Sequence, residues 1–346
     1  MSVPIAAPLT AEMMPVIDLS DLRSADKAKR FVLAQEIAEA CGGLGFFYIK
    51  NHGIPASTVD EMYAAAAEFC ALPLEDKMEI SLLKSVSYTG YLPMLVMGDD
   101  PSLTGNLHET FQITTEFAPG DPDVLADKPL HQLNRWPSAM PALRPAMLKY
   151  FDQTAELSYA LLQLFALGLN LPEDTFAQYF NKPMNRLRLM HYPPQPPDDA
   201  GDNLGVRSHT DPGTVTLLSQ DRAGGLEVLT PAGEWRSVPP IEGTYVINIG
   251  EMLKIWTDGI FAATPHRVIN RSGYDRYSVP FFANPDFDAL ITPLVKNPNP
   301  APREEPWFAN TESKDRPVTC GEILLRLYGR IYPSARGARF DKAATN

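Results

Sequence analysis

The sequence predicts a mainly β fold, either a sandwich or a closed double-sheet roll, with flanking helices. From about residue 186 onward the chain consists of short β runs separated by turn residues at close, even spacing, which is typical of sandwiches and rolls. Upstream of that point, strand and helix patterns alternate. The 346 residues are enough to bury a large core around such a roll.

The first elements of the chain are a helix, a strand and a second helix. Residues 26–41 show helical spacing of apolar positions, among them Phe31, and two glycines follow. A strand ending in a turn is expected over 45–54. We expect Ser57 to be the N-cap of the second helix, with Asp60 completing a variant of the capping box.

A loop, a strand and a long helix are expected before the β-rich half, and one more helix after it. Residues 84–106 are rich in Gly, Pro and Ser and predict a long loop, a kind of segment that often serves as a lid. A strand is expected over 109–117, and an extended helical pattern over 138–169 should end at Gly168. A last helix is expected over 319–331.

Composition excludes several classes of protein. Hydrophobic residues at 45% and charged residues at 21% are ordinary for a folded domain. A net charge of -12 without any basic stripe argues against a nucleic-acid partner. The N-terminal stretch lacks a signal-peptide pattern, and no apolar run approaches the roughly 18 residues of a membrane span. We therefore expect a cytoplasmic protein that does not bind membranes.

The cysteines are too few and too scattered to form a disulfide framework. Cys41, Cys70 and Cys320 are odd in number and contain no CxxC pair. They are interpreted as buried free thiols, which leaves thiolate zinc sites without support.

The segment HTDPGTVTLLSQD places His209 and Asp211 two positions apart, directly before a β-branched run. Residues at i and i+2 of a strand face the same side, so these two side chains can point into one cavity. His266, at the start of the later β run HRVIN, offers a third ligand. Two imidazoles and one carboxylate that leave metal positions open are typical of non-haem Fe(II) oxygenases.

A second polar pair follows on the next strand. Arg276 and Ser278 are again two positions apart, on a strand that continues with the apolar residues VPFF. A charged group in such surroundings is costly unless it binds an anion, and a carboxylate fits an arginine beside a hydroxyl.

Together these motifs resemble one known family. HxD (His209, Asp211), the distal histidine (His266) and RxS (Arg276, Ser278) occur in the order of the isopenicillin N synthase-like branch of the Fe(II)/2-oxoglutarate-dependent dioxygenases. The stretches GFFYIKNHGI, RLRLMHYPPQ, INIGEML and HRVIN extend the resemblance over residues 14–290. It implies a distorted double-stranded β-helix, a cupin-like jelly-roll core, in a mainly β fold with flanking helices (α+β).

The resemblance also implies roles for individual residues. His209, Asp211 and His266 would bind Fe(II), and Arg276 with Ser278 would bind the C5 carboxylate of 2-oxoglutarate. Tyr192 matches the tyrosine of the family's NxYP motif, which lies near the same pocket. Met190 stands where the family usually has asparagine, so the polar contact of that asparagine is not expected here.

The implied activity is oxidation, by default hydroxylation, of a small organic molecule. Dioxygen and 2-oxoglutarate would be consumed and succinate and carbon dioxide released, with ascorbate as an additional candidate cofactor. Three alternatives stay open at this point. They are an oxidase of the isopenicillin N synthase or aminocyclopropane-carboxylate oxidase type that uses no 2-oxoglutarate, an ethylene-forming enzyme, and a non-catalytic metal-binding sensor. The sequence indicates neither the substrate nor the oligomeric state.

The division of the chain that the resemblance implies has three parts. An N-terminal helix and strand region covers 14–130, the jelly-roll domain 183–290, and a C-terminal helix and tail 291–346.

The substrate pocket is expected between the loop over 84–106, including Tyr91, and the last helix, including Arg326 and Tyr328. Arg188 shares the Tyr192 face of its strand, where it is either a pocket residue or a solvated one. The remaining histidines, among them His108 and His191, are interpreted as lying outside the site.

Overall fold

The computed structural model describes residues 5–94, 107–194, 204–300 and 317–332. Its helices are α1 (Lys27–Gly42), α2 (Ala56–Ala71), α3 (Leu74–Met78), α4 (Pro122–Leu125), α5 (Leu143–Gly168), α6 (Glu251–Trp256) and α7 (Cys320–Ile331). Its strands are β1 (Ala7–Pro8), β2 (Val16–Asp18), β3 (Phe46–Lys50), β4 (Gly90–Leu92), β5 (Glu109–Thr114), β6 (Arg186–Tyr192), β7 (Val206–His209), β8 (Val215–Gln220), β9 (Leu226–Leu229), β10 (Trp235–Ser237), β11 (Tyr245–Ile249), β12 (His266–Val268), β13 (Arg276–Ala283), β14 (Leu290–Ile291) and β15 (Val318–Thr319).

Two sheets form the roll that the β-rich half predicts. The major sheet has eight strands in the order β2-β3-β11-β8-β13-β6-β5-β4, and the minor sheet has five in the order β1-β10-β9-β12-β7. The chain after β6 passes repeatedly between the two sheets, which is why both are needed to complete the roll. An apolar cluster that includes Phe46, Tyr192 and Val228 fills the space between them. The predicted jelly-roll core is confirmed.

A larger apolar core lies on the outer face of the major sheet. Helices α1 and α2 each contact α5, and all three contact this face, where burial of their apolar sides holds them. Helix α5 ends at Gly168, as predicted. A Cβ at this position would lie 2.5 Å from the Ala34 carbonyl oxygen, so only glycine allows α1 and α5 to approach this closely.

Two details of the predicted helices are wrong. Phe31 is 42% exposed, whereas Ile37, which belongs to the same predicted pattern with Ala38, is buried beside Leu33. Apolar residues occur on several sides of this helix, so the local pattern does not select one buried side. Helix α2 begins at Ala56, directly after Pro55, and has no side-chain N-cap. Ser57 is therefore already inside the first turn.

The chain around the roll mostly follows the sequence predictions. Helix α7 occupies the expected segment and begins with a capping box, in which Thr319 and Glu322 each accept a hydrogen bond from the other's backbone N–H. Within the expected loop 84–106, β4 is a strand and pairs with β5, while residues 95–106 lie outside the described residues. The residues expected as the C-terminal tail, from 333 onward, lie outside them as well. No helix in the described ranges combines the length and apolarity needed to cross a membrane.

Candidate active site

Strands β7 and β12 bring the two histidines together. In their antiparallel pairing His266 lies opposite His209, and the two ring centroids are 4.3 Å apart. Directly opposed residues on paired strands have adjacent side chains on one face of the sheet. Register between two strands distant in sequence therefore creates the imidazole pair.

Asp211 joins this pair from a turn. The sequence interpretation placed His209 and Asp211 on one strand, but β7 ends at His209 and Asp211 follows in the next turn. Its Oδ1 lies 3.6 Å from Nε2 of His209 and 3.8 Å from Nε2 of His266. The three potential ligand atoms all lie within 4.8 Å of one another, a separation that one metal ion can bridge.

The other ring nitrogen of each histidine is occupied. Nδ1 of His209 lies 2.8 Å from the carbonyl oxygen of Arg207, and Nδ1 of His266 lies 3.2 Å from that of Thr264. A carbonyl can only accept, so each Nδ1 carries the proton and each Nε2 keeps its lone pair. Both lone pairs are then available on the side of Asp211.

The second carboxylate oxygen of Asp211 is held by two donors. The Thr216 hydroxyl donates to Oδ2 at 2.5 Å, and the Asn248 amide donates to the same atom at 2.8 Å. The backbone of the Asp211 turn is fixed as well, because the Glu251 N–H donates to the Asp211 carbonyl at 2.8 Å. Oδ1 is left to face the histidines.

The turn also packs closely against the start of α6. A Cβ at Gly250 would lie 2.2 Å from the Gly213 carbonyl oxygen, so this close approach requires glycine. The position of Asp211 therefore depends on a backbone contact that no other residue type allows.

The protonation states suit a cation. Burial and the neighbouring His266 lower the pKa of His209 to about 4, although its side chain keeps 40% exposure, which limits the effect of burial. Burial alone would raise the pKa of Asp211, but His266, His209 and the two hydrogen bonds to Oδ2 lower it. At neutral pH His209 is therefore neutral and Asp211 ionised, as metal binding requires.

We expect Thr216→Val to weaken metal binding without removing a ligand. The change keeps the shape of the side chain but leaves Oδ2 of Asp211 with only the Asn248 donor. Groups that orient a ligand are typically worth about 10- to 100-fold in metal affinity. Calorimetric titration with Mn(II) measures the change. An unaltered affinity would show that Asn248 alone orients the carboxylate.

Arg276 is buried within the roll, and part of its guanidinium lacks a partner. Nη1 donates to the Ser278 hydroxyl at 3.2 Å and Nε donates to the Gly224 carbonyl, while the Tyr192 ring centre lies 4.5 Å from the guanidinium carbon. Nη2 is fully buried and has no hydrogen-bond partner among the described residues. A buried unpaired N–H of a cation is costly, so an anion fits this position.

Tyr192 and Met190 flank this arginine on β6. Tyr192 pairs with Arg276 and Met190 with Ser278, so all four side chains share one region of the cavity. The Tyr192 hydroxyl donates to the Met190 sulfur at 3.4 Å. The Met190 sulfur, a weak acceptor, thus takes the hydroxyl proton at the position where the resemblance would place a polar asparagine.

Comparison with known proteins agrees with this geometry. Residues 14–139 match the family model described as non-haem dioxygenase in morphine synthesis N-terminal, and residues 181–285 match that of the 2OG-Fe(II) oxygenase superfamily. A probable iron/ascorbate oxidoreductase of Dictyostelium discoideum is 33% identical over 95% of this chain and 97% of its own length. This chain belongs to the 2OG-Fe(II) oxygenase superfamily.

Two further relatives show which cofactors the family uses. A 2-oxoglutarate-Fe(II) type oxidoreductase of Emericella nidulans is 34% identical over 95% of this chain and 93% of its own. The solved structure of a full-length Neurospora crassa protein in complex with alpha-KG and thymine has a TM-score of 0.76 and 26% identity, covering 92% of this chain and 97% of that one. The protein is therefore an enzyme, a dioxygenase that uses Fe(II) and 2-oxoglutarate to oxidise a small molecule. The oxidase, ethylene-forming and sensor alternatives are not favoured.

The cavity of this oxygenase has a volume of about 580 Å³, and its lining revises the pocket residues expected from sequence. Tyr328 lines it, as expected, but Tyr91 and Arg326 are not among the described lining residues. The Tyr91 hydroxyl instead donates to Glu109 at 2.5 Å, outside the cavity. His108, interpreted from sequence as lying outside the site, lines the cavity next to the Tyr192 ring.

Another group of possible metal ligands lies on the outer face of the major sheet. Cys70, Glu109 and His191 are close enough to share an ion. Both nitrogens of His191 are already engaged, Nδ1 with Glu109 at 2.8 Å and Nε2 with Asp275 at 2.7 Å. The Lys77 ammonium also lies 2.8 Å from Glu109. The oxygenase uses this group as a salt-bridge network that joins α3 to β5 and β6.

This network should make stability depend on pH. Burial lowers the pKa of His191, but its hydrogen bonds to Glu109 and Asp275 raise it above the usual 6.5. Burial likewise raises the pKa of Glu109, but hydrogen bonds from His191, Lys77 and Tyr91 lower it to about 2, from 4.5. The contribution of His191 to the free energy of unfolding is thus complete below pH 6.5 and is lost as pH rises through its folded pKa. The contribution of Glu109 is complete above pH 4.5 and is lost as pH falls through its folded pKa.

We expect His191→Gln to lower the free energy of unfolding by about 1.5–3 kcal/mol at pH 6, the usual contribution of hydrogen bonds to charged groups. At pH 9 the loss should be smaller, because the wild-type histidine loses its charge as pH rises through its raised folded pKa. Urea unfolding of both proteins at the two pH values gives the comparison. An equal loss at pH 6 and pH 9 would mean that the charge of His191 does not stabilise the fold.

Proposed function

We propose that His209, Asp211 and His266 bind the Fe(II) of this enzyme, and that Arg276, Ser278 and Tyr192 bind the C5 carboxylate of 2-oxoglutarate. The reaction is hydroxylation of a small organic molecule. One oxygen atom of dioxygen enters the substrate C–H bond to give an alcohol, and the other enters 2-oxoglutarate as it loses carbon dioxide and becomes succinate.

The observation that carries this assignment is that one cavity contains both a set of potential metal ligands and a buried arginine nitrogen without a described partner. Three ligand atoms face one another within 4.8 Å, with the remaining nitrogens and oxygen of their side chains already hydrogen-bonded. The buried Nη2 of Arg276 lacks a described partner in the same cavity. A metal ion bound by the three ligand atoms, together with a diacid that binds both this metal and Arg276, would satisfy the ligands and the arginine at once.

Each residue then has a defined task. The two histidines and Asp211 would hold the metal through three ligand atoms, which would leave further positions for cosubstrate and dioxygen. Bound iron(II) supplies the activation of dioxygen. Arg276 fixes the far end of 2-oxoglutarate, and the Tyr192 ring shields the guanidinium from water. Positioning and water exclusion are the contributions of the protein chain to such chemistry.

Succinate formation under air, with and without 2-oxoglutarate, tests this function. We expect Fe(II)-loaded protein to release succinate from 2-oxoglutarate and to do so faster when a substrate is present. Asp211→Asn should abolish this release. Substrate oxidation that proceeds unchanged without 2-oxoglutarate would overturn the proposal in favour of an oxidase.

Two further points complete the proposal. We assign 14–130 to the N-terminal region, 183–290 to the jelly-roll domain and 291–346 to the C-terminal part. The enzyme acts in the cytoplasm, in keeping with its three free cysteines, which are usual in a reducing compartment. Fluorescent tagging at the C-terminus tests the location.

A further inference from the structure

A second cationic group lines the cavity, on the same face of β6 as Met190 and Tyr192. The side chain is Arg188. Its Nε donates to the Gln112 carbonyl oxygen at 2.7 Å, and its guanidinium carbon lies 5.1 Å from the centre of the Phe282 ring. Gln112 is itself fully buried and hydrogen-bonded through its amide nitrogen. The orientation of this guanidinium is therefore fixed before any ligand binds.

No carboxylate in the described part of the chain forms a salt bridge with Arg188. Its other polar neighbours are the Tyr328 and Tyr332 hydroxyls, and phenols are uncharged at neutral pH. Asp211 acts on Arg188 electrostatically without forming a salt bridge with it. Two other arginines, Arg186 and Arg267, are engaged with the protein itself. Arg186 donates both terminal nitrogens to backbone carbonyls, at 3.0 Å and 2.9 Å, and Arg267 pairs with Glu227 at 2.7 Å. Arg188 differs from them in facing an open cavity.

The charges of the cavity leave Arg188 without a counter-ion of its own. Asp211 is the one carboxylate among the described lining residues, and it faces the two histidines. In the proposed site, Fe(II) and Arg276 together balance Asp211 and the 2-oxoglutarate dianion. Arg207 and Arg330 also line the cavity, but each already interacts with other groups. A positive charge with no counter-charge in a low-dielectric cavity favours an anionic ligand.

The cosubstrate carboxylate of the proposed site is already bound by Arg276, which extends from a different part of the sheet than Arg188. Tyr192, which pairs with Arg276, lies four residues along β6 from Arg188, about 13 Å at the usual rise of a strand. Met190 and Ser278 lie between the two positions. The two arginines therefore extend from separate positions of the sheet, and each can bind its own carboxylate.

The surroundings of Arg188 are otherwise apolar. The cavity lining contributed by β4, β13 and α7 includes Leu92, Phe282, Leu324, Leu327 and Ile331. A planar guanidinium matches a carboxylate through two parallel hydrogen bonds. We propose that Arg188 binds a carboxylate of the substrate, so that the enzyme oxidises an apolar molecule carrying one acid group. This inference rests on the proposed function.

The test is equilibrium binding of matched probes to protein loaded with Mn(II) and saturating 2-oxoglutarate. The probes are phenylacetate and phenylacetamide, hexanoate and hexanamide, and benzoate and benzamide, each pair differing in charge. Relaxation of the probe protons by Mn(II) in NMR titrations gives the dissociation constants and reports proximity to the metal. We expect at least one acid to bind about 10- to 100-fold more tightly than its amide, the range for hydrogen bonds to a charged group.

Variants of Arg188 then assign the preference. Arg188→Gln should bring the acid-to-amide ratio close to one, and Arg188→Lys should keep part of it, because a lysine supplies the charge without the planar fork. The affinity for 2-oxoglutarate should stay within about threefold in both, since Arg276 is unchanged. Gln112→Met keeps the charge of Arg188 but removes the hydrogen bond that orients its guanidinium. It should therefore reduce the preference for acids over amides without abolishing it.

Three outcomes would overturn the inference. They are a wild-type protein that favours none of the acids, a preference that survives in Arg188→Gln, and an Arg188→Gln protein that loses 2-oxoglutarate binding. Failure of the wild-type protein to bind 2-oxoglutarate at all would instead contradict the proposed function. The two failures are thus distinguishable in one set of titrations.

Discussion

Asp211→Asn should abolish metal binding while leaving the fold intact. The two groups that hold Oδ2, the Thr216 hydroxyl and the Asn248 amide, both donate. They will orient the new amide with its carbonyl oxygen toward themselves, which turns the NH2 group toward the histidines. An amide nitrogen has no lone pair to give a metal. We expect affinity for Mn(II) to fall by more than about 100-fold, beyond the range for loss of an orienting group.

The control for this change is Asp275→Asn. It is the same substitution at a carboxylate that is half-exposed and bonded to His191 on the outer face of the sheet. We expect its metal affinity and its succinate release to equal those of the wild type. Comparable thermal unfolding of both variants would show that each is folded. Strong Mn(II) binding by Asp211→Asn would mean that the metal site lies elsewhere.

The candidate ligands of this site could be named from the sequence because the chemistry restricts the residue types. A ferrous centre with open positions needs imidazoles and a carboxylate, and a buried anion site needs an arginine. His209, Asp211, His266 and Arg276 are therefore visible as motifs in a single sequence. Their convergence in one cavity follows once the β-rich half is recognised as a roll.

The residues that support the ligands were not predictable. Asn248 reaches Asp211 because β11 pairs with β8, with Asn248 opposite Thr216. Nothing local to either strand marks such a register, and an asparagine or threonine in a strand has many ordinary explanations. Gln112 beside Arg188 depends in the same way on the pairing of β5 with β6. Long-range register, not residue type, decides these contacts.

Errors in the helical region have a related cause. In α1 the apolar residues Phe31 and Val32 are exposed, at 42% and 68%, while Leu33 and Ile37 pack inward. A helix with apolar residues on several sides has no unique buried face until its neighbour is known. Here the neighbour is α5, and the close approach at Gly168 selects the face.

Arg276→Met should have the second large effect, a loss of affinity for 2-oxoglutarate. The guanidinium is fully buried, with Nη2 free of partners in the described structure. Without it the C5 carboxylate would enter a buried position that offers the Ser278 hydroxyl and no charge. Removing one member of a buried charge pair costs about 2–5 kcal/mol, roughly 30- to several thousand-fold in the dissociation constant. Calorimetric titration of Mn(II)-loaded protein measures it.

The cosubstrate itself provides the sharper comparison. 2-Oxopentanoate has the chain length of 2-oxoglutarate but ends in a methyl group. It can therefore chelate the metal without forming a salt bridge to Arg276. The wild type should bind it much more weakly than 2-oxoglutarate, and in Arg276→Met this difference should largely disappear, since each change removes the same contact. Arg236→Met, at a half-buried arginine paired with Glu234, is the matched control and should leave both affinities unchanged. If Arg276→Met weakens the two ligands equally, the arginine supports the shape of the site instead of binding the carboxylate.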